Sequence, residues 1–127
     1  MKTKDILLVD DDIDYLYLFG MFLKAEGFEV TTVSDGFKAL EVLRNNKIRI
    51  VVTDFNMPEM DGIELAVRVR EQYSGTHVVL VTGKRLSEIV EAAAKAGIYE
   101  MFSKPVELQK FLAVIGSLLQ AGQDLRA

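Results

Sequence analysis

The chain has 127 residues, a formal net charge of −4 and no cysteine. We expect residues 1–127 to form one domain, with a core from about residue 4 to about residue 120. The lack of cysteine excludes disulfides and thiolate metal sites, and the lack of a basic cluster argues against direct binding of nucleic acid. No apolar run is long enough for a signal peptide or a membrane span, so we expect no membrane contact and a cytoplasmic location.

The first apolar run, residues 6–9, predicts a strand, and three consecutive acids follow it: Asp10, Asp11 and Asp12. Asp is a common cap at a helix start, so one of these acids is expected to cap the next helix. Three carboxylates this close together repel one another, which favours a bound cation. Oxygen ligands at a strand end suit Mg²⁺, which takes one or two carboxylates and keeps several waters.

A helix is predicted over residues 13–26, because apolar residues recur every three or four positions and Gly27 follows as a stop. These apolar residues are Ile13, Leu16, Phe19 and Leu23. Residues 28–33 alternate and are rich in β-branched side chains, which predicts the second strand. A second helix follows and ends at Asn45.

Residues 48–53 are apolar or β-branched throughout, which predicts a strand covered on both faces, as in a parallel sheet between helices. Asp54 follows directly, and Pro58 and Gly62 then interrupt regular structure. Ligands bind just outside the carboxyl ends of such strands, so Asp54 lies where chemistry is expected. The alternative is that Asp54 only starts a turn.

A third helix is predicted to begin at Asp61, whose spacing to Glu64 is that of a capping box, and to end at about Gln72. Residues 77–82 are apolar and predict the fourth strand, which ends in Thr82. His77, the only histidine, lies at the opposite end of this strand. We therefore expect His77 to be an ordinary surface residue, and no histidine-based catalysis.

A fourth helix is predicted from Ser87 through Lys95. Its inward face is small and predicts a loosely held helix; this face consists of Ile89, Ala92, Ala93 and Ala96. Residues 99–103 predict a short fifth strand, which Lys104 and Pro105 follow.

The last predicted helix is the most clearly amphipathic. Its apolar residues are Leu108, Phe111, Leu112, Ile115, Leu118 and Leu119. Residues 121–127 are expected to fray.

Strands that alternate with helices predict a doubly wound α/β fold, a five-stranded parallel sheet with helices on both faces and right-handed crossovers. The carboxyl ends of parallel strands share one edge, so this edge gathers polar side chains: Asp10, Asp11, Asp54, Thr82 and Lys104. A carboxylate between a Mg²⁺ site and a lysine can act as a nucleophile on phosphorus, while the cations neutralise the phosphoryl oxygens. No phosphate-binding loop for a nucleotide follows any strand, so the phosphoryl donor is a small molecule or another protein.

At these positions the sequence resembles the receiver domain of two-component response regulators, over essentially its whole length. The matching residues, in order, are Asp10-Asp11, Asp54 with Asn56-Met57-Pro58 and Met60-Asp61-Gly62, Thr82-Gly83, and Lys104-Pro105. The resemblance implies a flavodoxin-like strand order, 2-1-3-4-5, and a cis Lys104–Pro105 bond. It also implies a signalling domain rather than an enzyme, one that assists only its own phosphorylation and dephosphorylation.

The resemblance further implies that Asp54 is the phosphoacceptor in a phosphorelay, taking its phosphoryl group from a histidine kinase or a histidine phosphotransfer protein. Asp11 and Asp54 would bind Mg²⁺ through their carboxylates, and Asn56 through its main-chain carbonyl. Asp10 would act indirectly, through water or by orienting the site.

Thr82 and Lys104 would, by the same resemblance, hold the phosphoryl oxygens. The downstream partner is expected to bind the face formed by the Ser87 helix, the fifth strand and the last helix. Met101 stands where the family usually has a Tyr or Phe that reports phosphorylation. Methionine is flexible, so we expect the signal to run through Thr82 and residues 83–85 instead.

Two other functions fit parts of the sequence. An apolar strand that ends in Asp-x-Asp, as at Asp10 and Asp12, is typical of aspartate-dependent phosphohydrolases of the haloacid-dehalogenase type. That function would make Asp10 the nucleophile and leave the loop after Asp54 unexplained. A receiver-shaped scaffold that is never phosphorylated is disfavoured, because every site residue of the family is present.

Overall fold

Strands and helices alternate along the chain in the computed structural model, which describes residues 3–124 and the side chains of residues 4–120. The strands are β1 (Thr3–Val9), β2 (Val30–Val33), β3 (Lys47–Thr53), β4 (His77–Thr82) and β5 (Glu100–Ser103). The helices are α1 (Ile13–Ala25), α2 (Gly36–Asn45), α3 (Gly62–Gln72), α4 (Val90–Ala96) and α5 (Leu108–Asp124), and the 3₁₀ turn Leu86–Glu88 precedes α4. Within residues 3–124, no helix combines the length and the apolar composition that a membrane span requires.

The five strands form one parallel sheet in the order β2-β1-β3-β4-β5. The predicted doubly wound sheet and its strand order 2-1-3-4-5 are therefore confirmed. Parallel neighbours need crossover connections, and the helices between the strands supply them. Because β1, β3, β4 and β5 lie side by side, the residues that follow these strands meet at one edge.

Apolar side chains cover both faces of the sheet. In β1, Ile6 and Leu8 pack in the layer of α1 and α5, whereas Leu7 and Val9 pack in the layer of α2 and α3. This alternation follows from the two-residue period of a strand. A continuous apolar run is thus buried on both sides, as the sequence of β3 also predicts.

The second strand is shorter than predicted, because it begins at Val30 and not at residue 28. The N–H groups of the two preceding residues make hydrogen bonds outside the strand ladder. Phe28 N donates to the carbonyl of Leu23, and Glu29 N donates to Asp5 Oδ2 at 3.0 Å. Gly27 has a φ of 99°, the left-handed conformation expected of a helix stop.

The fourth helix starts later than predicted. A helix from Ser87 is wrong, because Leu86–Glu88 forms a 3₁₀ turn and α4 begins only at Val90. Ile89 lies between them with φ −123° and ψ 0°, outside the α-helical region, and no side chain caps α4 there. The helix is therefore interrupted at Ile89 and has seven residues.

The inward face of this region differs from the prediction at one position. Ile89, Ala93 and Ala96 are buried as expected, but Ala92 is exposed. Within α4, the buried side chains are those of Ala93 and Ala96, which lie three residues apart on one side of the helix. Gly97 has a φ of 80° and ends the helix.

Two apolar residues predicted to face the core lie at the surface. Ile13 is 62% exposed and Leu108 is 42% exposed, and each is the first residue of its helix. These two helices follow β1 and β5, and their first residues lie near the carboxyl edge of the sheet. At the other end, α5 continues through Asp124, inside the segment predicted to fray, and residues 125–127 lie outside the described residues.

Candidate functional site

Four polar residues lie together at the carboxyl edge of the sheet. Asp10, Asp54 and Lys104 directly follow β1, β3 and β5, and Thr82 is the last residue of β4. The Lys104–Pro105 bond is cis, as predicted. Lys104 Nζ lies 2.8 Å from Asp10 Oδ2 and 3.2 Å from Asp54 Oδ2. One ammonium group therefore bridges the carboxylates that follow two neighbouring strands.

Burial and the neighbouring charges shift the pKa values of Asp10 and Lys104 upward at this edge. Burial raises the pKa of Asp10, which is 1% exposed, while hydrogen bonds from Lys104 and from the Asp12 N–H act in the opposite direction. Burial alone would lower the pKa of Lys104, but its hydrogen bond to Asp10 and the charges of Asp10 and Asp54 raise it overall. Lys104 therefore keeps its positive charge at neutral pH.

Three carboxylates form a group that could bind a cation. Asp10, Asp11 and Asp54 each offer an oxygen, and these oxygens lie within 4.8 Å of one another. Asp54 Oδ1 is buried and has no hydrogen-bond partner among the described residues. A buried carboxylate oxygen without a partner is costly, and a metal ligand bond would satisfy it. An all-oxygen donor set of this kind fits Mg²⁺.

Asp12 belongs to the helix and not to this group. Its side chain accepts a hydrogen bond from Tyr15 N at 3.1 Å and caps α1. The expectation that one acid of the run caps the helix is therefore confirmed, and that acid is Asp12. Its own N–H donates to Asp10 Oδ1 at 2.9 Å, so the helix start also orients Asp10.

The loop after Asp54 depends on a glycine. Gly62 N donates to the carbonyl of Phe55 at 2.9 Å, and a Cβ at Gly62 would lie 2.2 Å from the carbonyl oxygen of Asp54. Only glycine allows this close approach without moving the loop. Thr53 Oγ1 donates to the same Asp54 oxygen at 2.9 Å. Asn56 lies in this loop with an exposed side chain, and the metal-binding role of its carbonyl stays a prediction.

Thr82 connects the site to the loop before α4. Its side chain is fully buried, and its Oγ1 accepts a hydrogen bond from Lys84 N at 3.1 Å. Its carbonyl accepts from Lys104 N at 2.9 Å. Because the hydroxyl oxygen acts as the acceptor for Lys84, its proton is available for another oxygen.

Tyr15 belongs to the site, although the sequence analysis did not single it out. Lys104 Nζ lies 4.2 Å from the centre of its ring. The Tyr15 hydroxyl is buried and has no hydrogen-bond partner within the described part of the chain. Burial, followed by the negative charges of Asp10 and Asp54, raises the pKa of Tyr15 well above its usual range. The only sequence signal is its position in the first turn of α1, just after the acidic run.

His77 and Met101 lie outside this group of polar side chains. His77 is exposed at the amino end of β4, where its ring contacts that of Tyr99 with centroids 5.6 Å apart. The prediction of an ordinary surface histidine is therefore confirmed. Met101 is half-buried in β5, opposite Leu80 of β4, and its predicted effect on signalling stays a prediction.

Comparison with known proteins identifies similar chains. Residues 6–116 match the family model of the response regulator receiver domain. The chain is 33% identical over 119 residues to the transcriptional regulatory protein GlrR of Escherichia coli K12, covering 94% of this chain and 27% of GlrR. It is 40% identical over 122 residues to the sensor histidine kinase RcsC of Salmonella typhi, covering 96% of this chain and 13% of RcsC.

A solved structure shows the same fold over nearly the full length of both chains. The response regulator receiver domain protein (CheY-like) of Methanospirillum hungatei JF-1 superposes with a TM-score of 0.89 at 28% identity, covering 97% of this chain and 98% of that one. In contrast, the chain spans 27% of GlrR and 13% of RcsC. The similarity to those two proteins therefore concerns one part of each.

Proposed function

The chain belongs to the response regulator receiver domain family, and we propose that it accepts a phosphoryl group on Asp54 and thereby changes its binding to a partner protein. The bridge from Lys104 to both Asp10 and Asp54 supports this most strongly. It places a fixed positive charge beside a carboxylate that still has one oxygen without a partner among the described residues. Phosphoryl transfer needs such a nucleophile next to groups that neutralise the phosphoryl oxygens.

In the proposed reaction, a carboxylate oxygen of Asp54 attacks the phosphorus of a phosphohistidine on a histidine kinase or a histidine phosphotransfer protein. The O–P bond forms and the P–N bond breaks, and the imidazole nitrogen leaves with the electron pair. Lys104 exchanges its hydrogen bond to Asp54 for one to a phosphoryl oxygen. The Thr82 hydroxyl, whose proton is not used by Lys84, donates to a second oxygen.

Mg²⁺ fits beside the Asp54 carboxylate. Asp11 and Asp54 would hold it through carboxylate oxygens and Asn56 through its main-chain carbonyl. Asp10 is better suited to an indirect role, because its Oδ1 accepts from the Asp12 N–H and its Oδ2 accepts from Lys104. When bound, the ion neutralises negative charge on the phosphoryl oxygens.

Asp10 would be the nucleophile if the protein were an aspartate-dependent phosphohydrolase. Its side chain is 2% exposed and both of its oxygens accept hydrogen bonds, whereas Asp54 is more accessible, with 12% exposed. A nucleophile needs a lone pair that can reach phosphorus. The geometry therefore favours Asp54, and we propose a signalling domain that assists only its own phosphorylation and dephosphorylation.

The experiment that tests the nucleophile is incubation with acetyl phosphate and Mg²⁺, followed by intact mass spectrometry. We expect one added phosphoryl group in the unmodified protein, none in Asp54→Asn, and a slower gain in Asp10→Asn. Asp14→Asn is the matched control, because Asp14 is an exposed acid of α1 outside the carboxylate group. Phosphorylation of Asp54→Asn but not of Asp10→Asn would favour the phosphohydrolase, and no gain in any protein would favour the unphosphorylated scaffold.

We further propose that the downstream partner binds the face formed by the region from Ser87 through α4, by β5 and by α5. Exposed apolar side chains occur in and next to these elements, on Val90 of α4, on Tyr99 just before β5 and on Leu108 at the start of α5. Hydrogen exchange with and without phosphorylation should show altered protection in these elements. Changes confined to α1 would contradict this choice of face. A cytoplasmic location and the lack of direct nucleic-acid contact stay predictions.

A further inference from the structure

The ammonium group of Lys104 has three N–H donors and three neighbours that can accept them. Two are carboxylate oxygens, Asp10 Oδ2 at 2.8 Å and Asp54 Oδ2 at 3.2 Å. The third is the face of the Tyr15 ring, whose centre lies 4.2 Å from Nζ. A cation at this distance from an aromatic face is attracted by the negative charge of the ring face, and more strongly when water is excluded.

We propose that Tyr15 is a positioning residue for phosphoryl transfer, and that its ring holds the Lys104 ammonium at the site while Lys104 exchanges Asp54 for a phosphoryl oxygen. This inference rests on the proposed phosphorylation of Asp54. During transfer, Lys104 must release Asp54 and bind a phosphoryl oxygen. The ring does not take part in that exchange, so its contact with Nζ persists and limits how far the ammonium can move.

The position of the Tyr15 ring is itself fixed by the core. It stacks on Phe19 with centroids 5.2 Å apart and an interplanar angle of 24°. Phe19 contacts Phe111 of α5 edge to face, also at 5.2 Å, and Phe111 contacts Phe102 of β5 at 5.3 Å. Phe19, Phe111 and Phe102 are all buried. The ring therefore rests on packed aromatic side chains from three elements of the fold and gives Lys104 a rigid surface.

The ring and the hydroxyl of Tyr15 can be tested separately by substitution. The hydroxyl has no hydrogen-bond partner within the described part of the chain, so removing it breaks no hydrogen bond there. Tyr15→Phe therefore keeps the ring face and removes only the hydroxyl. Tyr15→Leu removes the ring face and leaves a smaller apolar side chain in its place.

The test measures the rate of phosphorylation by acetyl phosphate with Mg²⁺, using quenched samples and intact mass spectrometry. Tyr15→Leu should slow the reaction by about three- to tenfold, as expected for loss of a partly desolvated cation–π contact. Tyr15→Phe should restore the rate. A Tyr15→Phe protein as slow as Tyr15→Leu would overturn the proposal, because the hydroxyl and not the ring would then be responsible. Equal rates in all three proteins would overturn it as well.

A role through Lys104 has a signature that a merely structural role lacks. In a Lys104→Ala background, replacing Tyr15 by Leu should have no further effect on the rate, because no ammonium remains to be positioned. A further loss of the same size would overturn the proposal. Thermal unfolding of each variant checks that the fold is kept.

A second readout does not depend on phosphorylation. NMR signals of the Lys104 side-chain ammonium should stay narrow in Tyr15→Phe and broaden in Tyr15→Leu, in protein without a phosphoryl donor. Signals in Tyr15→Leu that stay as narrow as those of the unmodified protein would overturn the positioning role even if phosphorylation proceeds as proposed. If the unmodified protein gains no phosphoryl group, the proposed function fails, and the role in transfer fails with it, whatever the Lys104 signals show.

Discussion

Helices α1 and α4 both follow loops that contribute to the site, yet they are held very differently. α1 has 13 residues and buries Leu16, Phe19, Gly20 and Leu23 against the sheet. α4 has seven residues, and its buried side chains are those of Ala93 and Ala96. Burial of apolar area stabilises in proportion to that area, so α1 gains several times more from packing than α4 does.

The start of α1 is also held more firmly than the start of α4. Asp12 caps α1 by accepting a hydrogen bond from Tyr15 N, whereas α4 begins at Val90 and its cap residue, Ile89, makes no side-chain cap hydrogen bond. A helix with little buried area and no cap opens or shifts at low cost. We therefore propose a division of roles, in which α1 holds the acids and Lys104 in place and α4 is the element that the proposed phosphorylation moves.

The largest expected effect is the loss of stability when one large buried side chain in α1, or one just before α4, is truncated to alanine. Leu23→Ala in α1 should lower the free energy of unfolding by about 4 kcal/mol, because its fully buried site lies in a layer that cannot collapse. Ile89→Ala should lower it by about 2 kcal/mol, because the short helix next to it can move into the space. Denaturant unfolding measures both. Equal losses would show that α4 is held as firmly as α1.

The next largest effect is that of Mg²⁺, which should stabilise the folded protein through the acids before α1. A ligand that binds only the folded state at about 100 times its Kd adds about 2.7 kcal/mol, and thermal unfolding with and without Mg²⁺ would detect this. Asp11→Ala should abolish the gain. Without metal, the same variant should be slightly more stable than the unmodified protein, because one of three neighbouring like charges is gone.

Asp14→Ala is the matched control for Mg²⁺, since Asp14 lies in the first turn of α1 but outside the carboxylate group. It should keep the full gain in stability on adding Mg²⁺. If Asp11→Ala still responds to Mg²⁺ and is also less stable without it, the metal does not bind where we place it.

The sheet and its polar edge could be predicted because their signals are local. Residues 48–53 are apolar on both faces and lead straight into Asp54, and the same pattern precedes Asp10 and Thr82. Parallel topology then brings these strand ends together without any knowledge of side-chain packing. The order of the strands and the cis bond before Pro105 came from the family resemblance and not from these patterns.

Features that depend on packing could not be predicted in this way. The contact between Tyr15 and Lys104 joins the first and last thirds of the chain, and no spacing in the sequence indicates it. The interruption at Ile89 was missed because Ser87 is a good cap residue, and the buried position of Ile89 outweighs that preference. The need for Gly62 follows from the approach of the Asp54 carbonyl, which only the folded loop creates.

A smaller effect concerns how phosphorylation reaches α4. Thr82→Ala should remove most of the change in α4 hydrogen exchange on phosphorylation, an effect of about tenfold, because Thr82 joins the site to Lys84 N. Met101→Ala should leave phosphorylation intact and change that response only modestly, since methionine has no strong rotamer preference. If Met101→Ala abolishes the response and Thr82→Ala preserves it, the signal passes through Met101.

The smallest expected effect tests whether the cap of α1 accounts for part of its rigidity. Asp12→Ala removes the acceptor for Tyr15 N and should lower the free energy of unfolding by about 1 kcal/mol. Asp12→Asn is the matched variant, because asparagine caps as well as aspartate and also removes one like charge beside Asp10 and Asp11. It should therefore retain the stability of the unmodified protein. Hydrogen exchange at the Tyr15 amide should quicken in Asp12→Ala alone, and equal quickening in Asp12→Asn would mean that charge, and not the cap, fixes the start of α1.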